Sequence, residues 1–332
     1  MQARVNIKKT ALSESRGIEK GAALLLILLF IMMLIGSKEA AIYIKKTLSS
    51  CFYSVIPSVF PLMVMSNMMV RGGGGELVSR IAGGAISRVF GVSRHSAVAV
   101  ILGFVCGFPI GAVAATGLYE RGSIGKGELC HLLTFVNNPG AAFVIFALGG
   151  GMLGSVRMGL IIYFSVLLSA AVAGVIARHI MDGETFPESG NVAVSLPFSE
   201  LIVSSVSSSV TGILNVCACA AFFSAFVGAV SHLLARLGAP FQLGAALFGI
   251  FELIGGVSIL TESSSSLFAA LSSAAICSWS GISVLMQIIS VCRRSLGNER
   301  ISFTPMILSK CFQATLSPIL VFLFIKLTRF DI

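Results

Sequence analysis

Long runs without a charged residue are the feature that most constrains the fold of this chain. Nine of them recur along its length, each with a charged residue on both sides, at 21–37, 47–70, 95–119, 129–156, 158–177, 201–235, 237–251, 263–292 and 311–325. About 20 helical residues cross the hydrocarbon core of a bilayer, so several runs can span it, and 201–235 is too long for one simple crossing. Backbone groups in lipid need partners within the segment, which helices supply. The runs therefore predict an all-α polytopic membrane protein.

The charged residues support this class. They make up 11% of the chain, against about 25% in soluble domains, so no soluble domain of useful size remains. The formal net charge is +9, but the basic residues gather at the ends of the runs, as Lys45, Lys46, Arg293 and Arg294 do. That placement suits anionic lipid headgroups and gives no reason to expect nucleic acid as a partner. We expect an integral membrane protein with its N-terminus in the cytoplasm.

Polar segments divide the chain. Residues 181–199 are acidic and contain Pro and Gly, which predicts a loop, and Ser263 to Ser266 predict a loop or hairpin tip. The segment 71–94 mixes apolar and basic residues at helical spacing, which predicts either an amphipathic helix in the membrane interface or a short packed helix. We predict four parts, namely a tail with a first membrane helix (1–46), a first half (47–180), a polar loop (181–199) and a second half with a C-terminal membrane helix (200–332).

The two halves have the same plan. Each has an apolar helix, then a Gly-rich run, then an apolar segment interrupted by polar residues and Gly. Aligning Gly103 with Gly249, and Gly140 with Gly281, places these units in the same order. Repeated halves with interrupted or re-entrant helices are typical of secondary transporters. Broken backbone persists in membranes only where protein or a water-filled cavity lies beside it, so we expect the breaks to line a solute pathway.

Glu252 is the one carboxylate between two uncharged stretches, Leu237–Phe251 and Leu253–Thr261. A carboxylate at membrane depth costs about 2.5–3.5 kcal/mol on insertion scales, so it is seldom kept without a use. One interpretation is a protonated Glu bonded to a neighbouring helix. The other is a binding or coupling group on the solute pathway, protonated or paired with a cation while the solute is bound.

Asn137 and Asn138, followed by Pro139 and Gly140, form the strongest polar cluster at membrane depth. The two amides offer donors and acceptors, and Pro and Gly force the chain out of helix. The alternative is a turn between two short helices that the Asn side chains merely cap. We predict that Asn137, Asn138 and Gly140 bind substrate.

Other candidates lie at the remaining irregular points. Three glycines four residues apart, Gly103, Gly107 and Gly111, indicate close packing, and Pro109 indicates a bend or re-entrant tip. The only Trp, Trp279, fits either an interfacial belt or the second-half break. The hydroxyl-rich face at Ser204–Thr211 could line a polar path or bond helices together. The further predicted substrate-binding residues are Gly107, Pro109, Glu252, Ser278, Ser280 and Gln287.

Enzyme motifs are missing from the sequence. It has no HExxH, P-loop, GxSxG or dinucleotide fingerprint, so we expect no catalytic residue and no cofactor. The eight cysteines include no CxxC pair and are best interpreted as small buried apolar residues, which leaves no expected metal site.

Several motifs together resemble a known family. The chain is similar to sporulation integral membrane proteins of the YlbJ type, which carry the nucleoside-recognition, or Gate, domain and share the plan of concentrative nucleoside transporters. The resemblance runs from about residue 45 to about residue 325 through Val55–Pro61, Gly107–Ala112, Phe135–Gly140, Phe251–Gly255, and Ser278–Ser283 with Gln287.

The resemblance implies a spore-forming bacterium and transport of a small aromatic anion, dipicolinate, across the membrane around the forespore. We therefore expect a small-anion transporter in contact with membrane lipid, with H+ or Na+ as the candidate coupling ion and an undetermined oligomeric state. A nucleoside or other small-solute carrier, or a non-transporting membrane scaffold of the spore envelope, are the alternatives.

Overall fold

The computed structural model describes residues 23–24, 26–181, 197–238, 247–263, 266–297 and 299–328. Most of the predicted tail, nearly all of the polar loop at 181–199, and part of the hairpin tip at Ser263–Ser266 lie outside these residues. Over the described ranges the regular structure is helical without a strand, which confirms the predicted all-α class.

Fourteen helices can be followed through the described part of the chain. Two π-helical segments accompany them: Cys51–Val55 joins α2 to α3, and Ala142–Met152 precedes α8. The helices are α1 (Leu26–Ile35), α2 (Ser37–Ser50), α3 (Ile56–Arg71), α4 (Gly74–Phe90), α5 (Ala97–Val105), α6 (Ile110–Glu120), α7 (Lys126–Leu133), α8 (Val156–Ile180), α9 (Phe198–Arg236), α10 (247–251), α11 (Leu253–Ser263), α12 (Ser266–Trp279), α13 (Gly281–Leu296) and α14 (Thr304–Thr328).

Four stretches are long and apolar enough to cross a membrane, namely α8, α9, α14 and the combined stretch Ser266–Leu296, which consists of α12 and α13 on either side of Ser280. Two bent pairs raise the number to six if each counts as one span. One is α1 with Ser37–Tyr53, bent by 87°, and the other is α4 with Arg94–Val105, bent by 107°. This confirms the polytopic membrane class. The long apolar run at 201–235 lies within one 39-residue helix, about 58 Å in length, so it extends beyond a bilayer core.

Helix α4 covers most of the segment predicted to be amphipathic. Its buried residues, Ser79, Gly83 and Phe90, face the interior. On the opposite face Leu77 is 62% exposed and Ile81 is 77% exposed. The helix is therefore confirmed, and its apolar outer face is the one suited to lipid; its place in the membrane interface stays a prediction.

Helix α9 packs along the N-terminal helices. Gly228 allows the Tyr43 ring of α2 to approach, since an added Cβ would lie 2.5 Å from a ring carbon. Further along, the Asn67 Nδ2 of α3 donates to the Ser209 Oγ at 3.1 Å. Such close contacts need small or hydroxyl side chains at the helix interface, as is common in membranes.

The two predicted halves share their apolar cores. One cluster packs the five helices from α3 through α7 against α13, and it contains both Phe135 and Ile288. A second cluster joins α8 with α11, α12 and α14, and it contains both Ile162 and Cys277. Each core therefore takes residues from both sides of the loop at 181–199, and the predicted domain boundaries stay predictions.

Candidate functional site

The first pair of helix breaks lies between α5 and α6 and after α7. The chain leaves helix at 106–109 and again at 134–140. The Phe108 N–H donates to the Asn138 carbonyl at 2.7 Å. Gly107 has φ +85°, and a Cβ there would lie 2.6 Å from the Gly140 Cα. The backbones of the two breaks are therefore in direct contact, and only glycine fits at position 107.

The glycine spacing seen in the sequence explains how the breaks approach each other. A Cβ at Gly103 or Gly111 would overlap the Val136 carbonyl oxygen, which lies between the two glycines. The run therefore packs against the irregular backbone after α7. The bend predicted at Pro109 is also present, because α6 begins directly after it at Ile110.

The second half contains a second pair of breaks. Glu252 interrupts the helix between α10 and α11, and Ser280 separates α12 from α13. The Trp279 Nε1 donates to the Ile250 carbonyl at 2.8 Å, and a Cβ at Gly281 would lie 3.2 Å from the Phe251 carbonyl oxygen. This contact places Trp279 at the second-half break. Both halves thus contain two apposed breaks, in the order that the aligned glycines predict.

Ser280 has an unusual backbone conformation. Its φ is +74°, the one positive φ among the described residues other than glycine. An L residue in this region carries strain of roughly 1–3 kcal/mol, and such residues cluster at functional sites. Its buried Oγ donates to the Cys277 carbonyl at 3.3 Å, which bonds the residue to the end of α12.

Helix α14 connects the two pairs of breaks. Near its start, the Ser309 Oγ and the Gln313 Nε2 both donate to the Thr134 carbonyl, at 2.7 and 2.8 Å. Two turns later, Ser317 accepts a hydrogen bond from the Ser278 Oγ at 2.8 Å. The break after α7 and the break at Ser280 therefore both contact α14.

The two Asn side chains are only half satisfied. The Asn137 Nδ2 donates to the Leu133 carbonyl at 3.3 Å, and the Asn138 Nδ2 donates to the Phe135 carbonyl at 2.8 Å. These bonds cap the end of α7, as the alternative interpretation expected. Both Oδ1 atoms are buried without a hydrogen-bond partner among the described residues. Since buried polar atoms almost always have a partner, these two acceptors point to a ligand or water.

Glu252 caps its own helix. Its Oε1 accepts the Ile254 N–H at 3.1 Å, and its Oε2 accepts the Gly255 N–H at 2.6 Å. The side chain is only 5% exposed. A carboxylate at a helix N-terminus satisfies free N–H groups and complements the helix dipole. The bonds go to α11 and not to a neighbouring helix, and a role in solute binding stays a prediction.

Gln287 lies apart from the breaks. It is seven residues, or about 10 Å, along α13 from Ser280. Its Nε2 donates to the Ser283 Oγ at 3.3 Å and faces the Val216 carbonyl of α9 at 3.5 Å, while its Oε1 is buried without a partner in the described structure. The residue belongs to the polar contact between α9 and α13.

Lys310 is the residue that the sequence analysis missed. In the sequence it is the charged residue that precedes the uncharged run at 311–325. In the structure it lies within α14 and is 0% exposed. Its Nζ donates to the Asn137 carbonyl and to the Gln313 Oε1 at 3.3 Å. The signal in the sequence was the spacing of Lys310, Gln313 and Ser317, which places three polar side chains on one face of a largely apolar helix.

The apolar spans and the apposed breaks define a polytopic α-helical integral membrane protein. The chain is similar to the sporulation integral membrane protein YlbJ of Bacillus subtilis (strain 168), with 23% identity over a 327-residue alignment that covers 88% of this chain and 79% of that protein. This similarity confirms the predicted resemblance to the YlbJ type. No family model and no solved structure matches the chain.

Proposed function

We propose that this chain is a membrane transporter that moves a small organic anion during bacterial spore development. The observation that carries the proposal is the pair of apposed breaks in each half, with the buried and unpartnered Oδ1 atoms of Asn137 and Asn138 at one of them. Broken helices of this kind line the binding sites of secondary transporters. The name of the YlbJ relative supports a role in sporulation and a location in a membrane. The membrane around the forespore is the location that the resemblance implies.

The charges near the breaks favour an anionic solute. The two oxygens of Glu252 already accept backbone N–H groups, and α14 contains no acidic residue. A solute carboxylate would therefore meet no free carboxylate on these elements. Dipicolinate is the anion that the resemblance implies, and Gly107, Pro109, Gly140, Ser278 and Ser280 are the residues that would surround it together with the two Asn side chains.

Uptake by proteoliposomes tests the proposal against its two alternatives. Purified protein is reconstituted, and uptake of labelled dipicolinate is compared with that of labelled uridine. We expect uptake of dipicolinate above that of protein-free vesicles. Uptake of uridine alone would indicate a nucleoside carrier, and uptake of neither solute under any imposed ion gradient would indicate a scaffold.

A double substitution tests the site within the same assay. Asn137→Leu with Asn138→Leu removes both open acceptors, and apolar side chains are readily inserted in a membrane. We expect normal membrane abundance and a loss of uptake of about tenfold or more. The matched control is Asn67→Leu, which removes a buried amide that bonds to Ser209. Equal uptake by the double variant and the control would contradict the assignment of the site.

A further inference from the structure

Lys310 places a basic side chain in the buried interior of the protein. The side chain is 0% exposed, and its bonding partners are the Asn137 carbonyl and the Gln313 Oε1. An ammonium group has three N–H donors, so one remains for a further partner.

No carboxylate of the described residues forms an ion pair with Lys310. The ion pairs of Arg80 with Glu76 and of His232 with Glu39 do not involve it. A buried charge is normally paired, because desolvation costs several kcal/mol per ion. Neutral carbonyl and amide oxygens offset only part of that cost. In its protonated form Lys310 therefore lacks a compensating negative charge among the described residues.

The unpartnered Oδ1 atoms of Asn137 and Asn138 lie on the same segment as the Asn137 carbonyl that Lys310 contacts. Asn137 supplies its carbonyl to the ammonium, and its Oδ1 is buried without a partner in the described part of the chain, as is that of Asn138. A solute with an anionic group and an adjacent donor, or one with a bound water, would satisfy both the ammonium and the amide oxygens.

We propose that Lys310 binds a carboxylate group of the transported solute. The inference rests on the proposed transport function and deepens it. One ammonium group matches one of the two carboxylates of dipicolinate, whereas a doubly charged phosphate group usually meets several donors. Because Lys310 is fully buried, a solute bound there would be occluded, as alternating access requires between openings.

Ligand-dependent thermal unfolding of the purified protein tests this inference without transport. The probes are sodium dipicolinate and pyridine-2,6-dimethanol, which has the same ring without charge. We expect dipicolinate to raise the Tm of the unsubstituted protein and the neutral diol to leave it unchanged, since a ligand that binds the native state stabilises it. Equal stabilisation by both probes, or by neither, would overturn the inference.

Two lysine variants complete the test. Lys310→Gln should reduce dipicolinate affinity by about tenfold or more, because it removes the charged donor. Lys326→Gln changes an exposed lysine of the same helix and should keep the affinity. Retained affinity in Lys310→Gln would overturn the inference.

Folding of the variant can be checked independently. Removing an uncompensated buried charge should leave the ligand-free Tm of Lys310→Gln at or above that of the unsubstituted protein. If this variant does not fold, Lys310→Met provides the same comparison with an apolar side chain of similar length. Normal uptake with normal binding by the folded variant would refute the role of Lys310 and leave the transport proposal intact. Binding that depends on Lys310, without uptake, would refute transport instead.

Discussion

At the residue scale, Glu252 illustrates how an apolar sequence context can suggest one role while local geometry supplies another. The sequence shows an isolated carboxylate at membrane depth, which suggests solute binding or coupling. The structure adds two backbone N–H groups, of Ile254 and Gly255, that occupy both carboxylate oxygens. Ending a helix and binding a solute make different demands on the charge, so substitution separates them.

We expect Glu252→Gln to lower stability and to retain uptake per folded molecule. Glutamine has one acceptor oxygen in place of two, so one N–H at the start of α11 loses its partner, at a cost of about 1 kcal/mol. Thermal unfolding in detergent and uptake normalised to folded protein measure the two effects. The control is Glu76→Gln, whose surface pair with Arg80 should contribute less than about 1 kcal/mol. Abolished uptake at unchanged stability would instead establish Glu252 as a coupling group.

At the scale of elements, the apposed breaks depend on glycine. The breaks at 106–109 and 134–140 can touch because Gly107 has a positive φ and lacks a Cβ. Close backbone contact also brings the Asn138 carbonyl within hydrogen-bonding distance of the Phe108 N–H. The loss of either property would separate the two breaks and disturb the open amide oxygens between them.

Gly107→Ala should therefore destabilise the protein by more than about 3 kcal/mol, since it combines backbone strain with overlap against fixed backbone atoms. Gly122→Ala is the matched control. Gly122 also has a positive φ, +68°, but nothing lies within 4 Å of the added Cβ. Strain alone should cost about 1–2 kcal/mol there. Thermal unfolding of both variants gives the comparison, and similar losses would show that the contact at Gly140 is not tight.

At the scale of the whole molecule, the two halves of the sequence are held together by shared cores. Helices α2 and α3 pack against α9, and α8 packs against α12 and α14. Cys51 and Cys217 lie in one buried cluster across this boundary. Such extensive contact predicts that the halves assemble without a covalent connection.

Fragments 1–190 and 191–332, expressed together, should co-purify as one complex. A copper–phenanthroline oxidant should then link Cys51 to Cys217, because the two side chains lie in the same buried cluster. The experiment uses a Cys130→Ala background, since Cys292 lies close to Cys130. Non-reducing electrophoresis should show a band of the combined mass that disappears in Cys217→Ala. Fragments that purify separately would show that the connecting segment is needed for assembly.

Much of this protein could be predicted from its sequence because lipid leaves few choices. Uncharged runs must be helical, and Pro or Gly within them must interrupt helices, so the breaks at Asn137–Gly140 and near Ser280 followed from residue type alone. The glycine spacing at Gly103, Gly107 and Gly111 likewise indicated close packing, although not its partner.

Residue types and their spacing are enough to specify the all-α membrane class, the positions of the breaks and their matching order, since each depends on local chemistry and helix geometry. Which groups meet at the breaks depends on how distant helices pack. Lys310 lies more than 170 residues from Asn137 and contacts it because α14 packs against the end of α7. Its importance depends on burial and on the absence of a nearby carboxylate in the described structure, and both are properties of three-dimensional packing that no local pattern encodes.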